Sequence, residues 1–340
     1  MKIGLTYDLR QEYLLNGMSE EETAEFDKVE TIDALEETLQ SLGYETDRIG
    51  NIFSLTKRLG AGDRWDLVLN IAEGLRGFGR EAQVPALLDA YDIPYTFSDP
   101  LVLSLTLHKG MVKRIVRDAG IPTPDFRIVE SDADAMLVDL ELPLFAKPVA
   151  EGTSKGISGE SVITTREQLI STSRRLWTRY GQPVLVETFL PGREFTVGIL
   201  GTGKNAIAIG AMEVIVKDNA AFGVYSYTSK EKYEELVEYR LADGPELQEA
   251  ADIALNVWRV LGARDAGRVD LRADSEGRLL FLEANPLAGL HPVHSDLCII
   301  ARMIGMTYKE LIHAIVSSAS TRCSARIMTY ARNSNWNCSQ

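Results

Sequence analysis

The chain is poor in cysteine and histidine and carries a deficit of positive charge. Only Cys298, Cys323 and Cys338 occur in 340 residues, with four histidines. The cysteines are odd in number and form no Cys-x-x-Cys pair, so neither a disulfide framework nor a redox pair is indicated, and reduced thiols are expected. Lysine and arginine total 36 against 49 aspartates and glutamates, a formal net charge of −13. Phosphate backbones demand clustered cations, which excludes nucleic acid as a bulk partner. A nucleotide needs only a local basic pocket and is not excluded.

Long apolar runs are missing as well. The richest, "DLVLNIA" and "PVLVETFL", fall well short of the roughly 20 residues that span a bilayer. The start, "MKIGLTYD", reads as a strand running into a loop, without the apolar core and cleavage site of a secretory signal. The expectation is a cytoplasmic protein with no membrane partner. Several catalytic signatures are also absent: no Gly-x-Ser-x-Gly elbow, no Gly-Lys-Ser/Thr opening a helix, and no strand–glycine–helix dinucleotide fingerprint. "GTGK" at 201–204 lies between two expected strands and reads as a hairpin turn, which removes a nicotinamide dehydrogenase from consideration. His291, His294 and Cys298 have zinc-like spacing, but no fourth ligand is evident and Pro292 separates the histidines, so pocket or loop roles fit better.

What is present is 45% hydrophobic content, enough for a sizeable core in two or three domains. Residues 2–7 read as a strand. Ser19 with Glu22 forms a capping-box pair, and Phe26, Val29, Ile32, Leu35, Leu39 and Leu42 recur at helical spacing up to Gly43, predicting one helix from Ser19. A buried strand at 66–72, a Gly-rich loop and the helix "EAQVPALLDAYD" complete a parallel α/β domain over 1–103. A second unit, 104–182, opens with the helix "LTLHKGMVKRIVRDAG", on which Met111, Ile115 and Ala119 share a face. Strands at 143–148 and 160–164 and a helix at 166–180 follow. The third unit, 183–320, alternates strands with the helix "PELQEAADIALNVWRVLGA". The end, 321–340, loses periodicity and reads as a loosely held tail.

Three stretches carry chemistry. In "FAKPVAEGTSKGIS" a strand delivers Lys147 into a loop through Gly152, Thr153, Ser154, Lys155 and Gly156. Glycines let backbone N–H groups approach an anion, and the hydroxyls and lysine add donors, so phosphate binding and a flexible polar hairpin both fit. In "PVLVETFLPGREFTVGIL" Glu187 ends one strand and Glu194 begins the next, as solvated strand ends or as acceptors for a nucleobase and a ribose. In "GRVDLRADSEGRLLFLEANP" two strands flank an Asp-Ser-Glu-Gly turn. Centring it between Ser275 and Glu276 sets Arg268 opposite Glu283 and Asp270 opposite Phe281. Val269, Leu271, Leu280 and Leu282 then form the apolar face, and Arg268, Asp270, Glu283 and Asn285 the other. That face is either solvated or a hard-oxygen set of the kind Mg²⁺ prefers, with an arginine placed to stabilise developing negative charge.

Taken in order, Lys109, Lys147 with "EGTSKGIS", "VLVETFLPGREFTVGIL" and "GRVDLRADSEGRLLFLEANP" resemble the ATP-grasp superfamily, and within it the D-alanine–D-alanine ligases. "LNIAEGLRGFGREAQVPALLDAYDIPYTFSDP" and "LHKGMVKRIVRDAGIPTP" extend the likeness over about residues 66–315. The resemblance implies a mixed α/β and α+β chain with an ATP-grasp fold, an N-terminal parallel α/β domain preceding two ATP-clasping subdomains. It implies ATP and two Mg²⁺ ions, replaceable by Mn²⁺, as cofactors, amino acids or peptides as substrates, and a homodimer. Lys109 and Lys147 would contact the ATP phosphates, with Gly152, Ser154 and Gly156 in the loop above them, Glu187 on the adenine and Glu194 on the ribose. Asp270, Glu283 and Asn285 would hold the metals, and Arg268 would stabilise an acyl phosphate and the adduct that follows. Glu151 and Thr153 match positions near the substrate, and Lys230 matches a lysine on a loop over the site. Gly289 and Ser295, with His294 beside them, match the second-substrate pocket.

The likeness breaks where the family grips its substrates. The first amino group is usually held after a Gly-Gly turn with Ser and Glu, whereas this chain begins "GLTYDLRQEYLLNGMSEEE". The loop lysine usually precedes Tyr, and here Lys230 precedes Glu231. Asn285 leads into "PLAG" in place of Thr-Ser-Pro-Gly, and His108 stands where an Asp precedes the helix lysine. The expectation is an ATP-dependent carboxylate–amine ligase joining two amino acids through an acyl phosphate. Alternatives are the same chemistry on another amino acid, a dipeptide or a natural-product precursor, and a non-catalytic nucleotide-binding protein.

Overall fold

A computed structural model describes residues 1–216 and 237–333, with side chains for 1–215 and 237–323. The N-terminal part contains β1 (Lys2–Thr6), α1 (Arg10–Leu15), α2 (Val29–Ser41), β2 (Glu45–Gly50), α3 (Ile52–Gly60), β3 (Leu67–Asn70) and α4 (Gln83–Ala90). The strands form a parallel sheet in the order β2-β1-β3. Ile3 and Leu5 face Ile32, Leu35 and Leu39 of α2, all nearly inaccessible. Each such side chain contributes about 1.5–3 kcal/mol. On the opposite face a Cβ at Gly4 would lie 2.4 Å from Ile49 Cδ1, so only glycine lets that side close.

The helix expected from Ser19 begins instead at Val29. Ser19 and Glu22 do exchange capping hydrogen bonds, but over an isolated turn. The segment between is drawn out toward the first strand: Asp27 N–H donates to the Asp8 carbonyl, Arg10 N–H donates to the Asp27 carbonyl, and Phe26 packs on Tyr13. Pairing with the Asp8–Arg10 segment outweighs helical spacing there.

The single helix expected near 104 is two, α5 (Pro100–Leu107) and α6 (Lys109–Asp118). They break at His108, whose Nδ1 accepts the Met111 N–H and so caps α6. The face expected from Met111, Ile115 and Ala119 is the outer one, for Met111 and Ile115 are exposed. The buried face is Lys109, Val112, Lys113 and Val116, so apolar spacing pointed the wrong way because two lysines turn inward. Next come β4 (Phe126–Val129), α7 (Asp132–Met136), β5 (Leu144–Pro148), β6 (Val162–Ile163), α8 (Arg166–Tyr180) and β7 (Val184–Thr188), with the strands antiparallel in the order β4-β7-β5-β6. Thr165 and Gln168 form a capping box on α8, and Gly181 ends it at φ +63°.

The last part holds β8 (Glu194–Leu200), β9 (Ile207–Val216), β10 (Val237–Leu241), α9 (Gly244–Leu261), β11 (Ala266–Ala273), β12 (Leu279–Asn285), α10 (Asp296–Met303) and α11 (Tyr308–Asn333). The sheet order is β10-β9-β8-β11-β12, all antiparallel. Helix α9 covers one face through Ala250, Ala254, Val257 and Trp258, against Val197, Val269 and Leu271. That leaves Arg268 and Asp270 on the other face, toward α10. The tail read as aperiodic from 321 continues α11 through Asn333. Earlier on that helix, Leu311, Ile312, Ile315 and Val316 join the core of the first sheet.

Asp265 locks these parts together. Wholly buried and at φ +63°, it accepts from the Phe97 N–H (2.9 Å), Thr202 Oγ1 (3.2 Å) and Ser318 Oγ (2.8 Å), and pairs with Arg322 Nη2 (2.9 Å). Removing one member of a buried ion pair leaves the other uncompensated, so Asp265→Ala is expected to cost about 3–5 kcal/mol in denaturant unfolding. Asp265→Asn, which keeps one acceptor and tolerates the left-handed backbone, should lose less. A loss of under about 1 kcal/mol in Asp265→Ala, the range of an ordinary surface change, would contradict the lock.

Candidate active site

A cavity of about 610 Å³ lies where the N-terminal domain faces the two antiparallel sheets. Lys109, Glu151, Gly152, Thr153, Arg268, Glu283, Asn285, Gly289, His294 and Ser295 all line it. Asp270, Lys147 and Glu187 are buried polar groups outside that lining. Lys230 lies outside the described residues.

The β11–β12 hairpin supplies one wall, in a register that differs from the expected one. Arg268 pairs with Asn285, Asp270 with Glu283 and Leu271 with Phe281. The turn is longer than expected, because the Asp274 carboxylate accepts the N–H groups of Glu276 (2.8 Å) and Arg278 (3.0 Å), and Gly277 turns at φ +84°. A bulge at Leu282 then restores alternation beyond it. The apolar face is therefore Val269, Leu271, Phe281 and Ala284, all buried, while Leu280 and Leu282 leave it. The polar four stay on one side despite the shift. Arg268 Nε lies 3.4 Å from Asp270 Oδ2, and Asn285 Nδ2 donates to Asp270 Oδ2 (3.1 Å) and Glu283 Oε1 (3.5 Å). Arg268 Nη1 also pairs with Asp296 (3.3 Å) at the start of α10.

Burial raises the Asp270 carboxyl to about 6 against the pull of Arg268, and its Oδ1 is buried without a hydrogen-bond partner. Glu283 is driven the other way: in spite of burial, Lys109, Lys147 and Arg268 hold it well below the usual carboxylate range. An orphaned carboxylate oxygen beside a second carboxylate, with the Asn285 amide next to both, is a side-chain set that fits a hard divalent cation once the amide turns its oxygen inward.

Opposite the hairpin, the glycine loop turns through Thr153 (φ +49°), Ser154 (φ +57°) and Gly156 (φ +77°), and Thr153 Oγ1 is buried without a partner. Its anchor was not foreseen. The Gly152 N–H donates to Glu25 Oε1 (2.5 Å), where a Cβ would lie 2.6 Å from that oxygen. Lys155 pairs with Glu151 Oε2 (2.5 Å) and Glu25 Oε1 (3.4 Å), so the loop lysine faces carboxylates. Arg80 holds Glu25 Oε2 (3.1 Å) and the Ala150 carbonyl (2.9 Å). Arg80 and Lys155 keep Glu25 below its ordinary pKa in spite of burial. Nothing in the local pattern of "TAEFDK" marks Glu25, since its partners are distant in sequence.

At the floor, Lys109 Nζ donates to the Glu151 carbonyl (2.6 Å) and lies 3.5 Å from Glu283. Lys147 of β5 pairs with Glu187 Oε1 (2.9 Å), and Lys113 of α6 pairs with Glu187 Oε2 (2.9 Å). Lys113 was missed, although it follows Lys109 by one helical turn. Glu194 sits across the strand pair from Arg272, 3.1 Å from its Nη1. At the far end, Ser295 Oγ accepts the His291 N–H (2.9 Å) and occupies the space a Cβ on Gly289 would need. His291 Nδ1 accepts from the Val293 and His294 N–H groups, and the two imidazoles stack at 4.5 Å. Cys298 is buried in the hydrophobic core. The N-terminal wall adds Asp27 and Glu81, each pushed up to about 7, chiefly by burial.

A family model described as the D-ala D-ala ligase C-terminus matches residues 115–317. A D-alanine–D-alanine ligase of Bordetella petrii is 34% identical over 261 residues, 76% of each chain. The chain belongs to the D-alanine–D-alanine ligase family. A ligase of Aquifex aeolicus is likewise 34% identical, over 71% of this chain and 78% of that one. The fold matches the Bacillus anthracis D-alanine–D-alanine ligase complexed with ATP (TM-score 0.71, 19% identity, 96% and 99% of the chains covered). It also matches the VanG D-Ala:D-Ser ligase of Enterococcus faecalis (TM-score 0.72, 19% identity, 94% and 99% covered). Both likenesses support the expected ATP-grasp architecture. Among the described residues no helix is long and apolar enough to cross a membrane.

The loop anchor in this family member has a pH signature. A carboxylate whose folded pKa is depressed stabilises the fold above its unfolded pKa, and that stability is lost as pH falls through the folded value. Glu25 is therefore ionised at neutral pH and lets go only in acid. Glu25→Gln should speed amide hydrogen exchange over residues 150–157 at neutral pH; unchanged exchange would show that the loop is held by something else.

Proposed function

We propose that this chain is an ATP- and Mg²⁺-dependent ligase that joins the carboxyl group of one amino acid to the amine of a second through an acyl phosphate. The observation that carries the reading is the convergence of Arg268, Glu283 and Asn285 beside Lys109 at one cavity wall, with Asp270 buried directly behind them. Family membership supports the reaction class.

Lys109 and Lys147 receive the phosphates of ATP, and the backbone N–H groups of the 152–156 loop cover them. Glu187 and Glu194 face the adenine and the ribose. Asp270, Glu283 and the Asn285 amide oxygen hold Mg²⁺, which, when bound, offsets charge on the transferring phosphoryl group. Arg268, steadied by Asp296, donates to the oxygen that gains negative charge when the amine attacks the acyl phosphate. The N-terminal wall excludes water, which would otherwise hydrolyse that intermediate. Thr153 and Glu151 border the reacting carboxyl, and Gly289, Ser295 and His294 border the amine. Lys230 matches a family lysine that acts near the substrate, and a homodimer is the assembly expected of the family.

A second reading keeps the chemistry and changes the substrates. It is favoured by the stacked His291–His294 pair at the second-substrate end, reached through "PLAG". Phosphate release with ATP, Mg²⁺ and a panel of D- and L-amino acids and dipeptides, with mass detection of products, separates the two. A pair including D-alanine should be turned over, and Arg268→Ala should lower kcat by about 10²–10³-fold with ATP binding retained. Unchanged turnover in that variant would sink the assignment. If no pair stimulated release, the protein would be a nucleotide-binding one without ligase chemistry.

A further inference from the structure

Lys113 is fully buried, and its ammonium group is held from three parts of the chain: it pairs with Glu187 Oε2 on β7 (2.9 Å) and donates to the Phe281 carbonyl on β12 (3.1 Å) and to Thr123 Oγ1 in the connector after α6 (3.1 Å). Shut off from solvent among these groups, it is not placed to meet a ligand. Lys147 differs, since Glu187 Oε1 is its one close carboxylate oxygen among the described residues (2.9 Å).

The charge count makes this arrangement consequential. A single glutamate beside Lys147 would form a neutral pair, and a neutral pair attracts a triphosphate weakly. Glu187 instead lies between two lysines, so the trio carries one net positive charge. Lys113 is walled in by protein, which leaves the surplus on the Lys147 side. Burial keeps these interactions little screened by salt.

We propose that Lys113 is a positioning residue for nucleotide binding: it neutralises and orients Glu187, and so leaves the charge of Lys147 available to the phosphates. This rests on the ATP-dependent reading above. It predicts a change of sign that packing alone does not. In Lys113→Met, Glu187 neutralises Lys147, and affinity for ATP and ADP should fall about tenfold, equivalent to 1.4 kcal/mol. Affinity for adenosine should change less than threefold, within about 0.7 kcal/mol. Adding Glu187→Gln to Lys113→Met releases Lys147 and keeps an acceptor oxygen for the base, so ATP affinity should recover by at least about threefold.

The test is calorimetric titration of ATP, ADP and adenosine into the full chain carrying neither, either or both substitutions, with ATP KM and kcat measured alongside. Expected are a rise in KM with kcat nearly kept in Lys113→Met, and recovery in the double variant. Equal losses for adenosine and ATP, or a double variant no better than Lys113→Met, would overturn the inference and leave ATP binding by the parent standing. A parent that fails to bind ATP would overturn both. Should Lys113→Met not fold, Glu187→Gln alone decides: phosphate affinity at or above that of the parent supports the charge argument, and a loss specific to ATP and ADP refutes it.

Discussion

Buried charge has to be balanced, and at the junction of the two antiparallel sheets that requirement organises everything else. Lys109, Lys147 and Arg268 face Glu283, and Asp270 lies beneath them with one oxygen unpaired. Isolated charges taken from water cost several kcal/mol each even after relaxation, and pairing has to offset that. The hairpin, the lysine-bearing helix and the strand carrying Lys147 are therefore held together by their charges as well as by their apolar faces. The same requirement recurs at the N-terminal wall, where Glu25 balances Arg80 and Lys155. The ATP-grasp layout thus reads as apolar packing behind two charge clusters that meet across one cavity.

Much of this was legible in the sequence, for identifiable reasons. Helix α8 spans the expected 166–180, since its box, periodicity and terminal glycine agree. The polar face of the hairpin survives although its register was misjudged, because the longer turn and the Leu282 bulge act in compensating ways. Misreadings arose where long-range contacts decide. Apolar spacing on α6 named the exposed face because Lys109 and Lys113 are drawn inward by carboxylates from other elements. The helix expected from Ser19 is pre-empted by bridging of Asp27 to the Asp8–Arg10 segment just after the first strand. Glu25 and Arg80 carried no local signal, since a buried ion pair between residues 55 apart has no spacing to read.

The division between reaction and substrate follows the same line. Apart from the 152–156 loop, the groups proposed to act on ATP sit on regular strands and one helix, where period and order show through. The walls that would meet the substrates come largely from loops, among them 24–28 and 286–295, whose shapes depend on contacts such as the His291 ring accepting two backbone N–H groups. Loops on a rigid scaffold are where specificity diversifies.

The central claim is that the carboxyl group is activated by phosphorylation before the amine attacks. It is tested most directly by following oxygen. With the acid substrate labelled with ¹⁸O in its carboxyl group, each turnover should carry one labelled oxygen into inorganic phosphate, with ADP as the other nucleotide product. Unlabelled phosphate at full ligation, or AMP in place of ADP, would contradict the account.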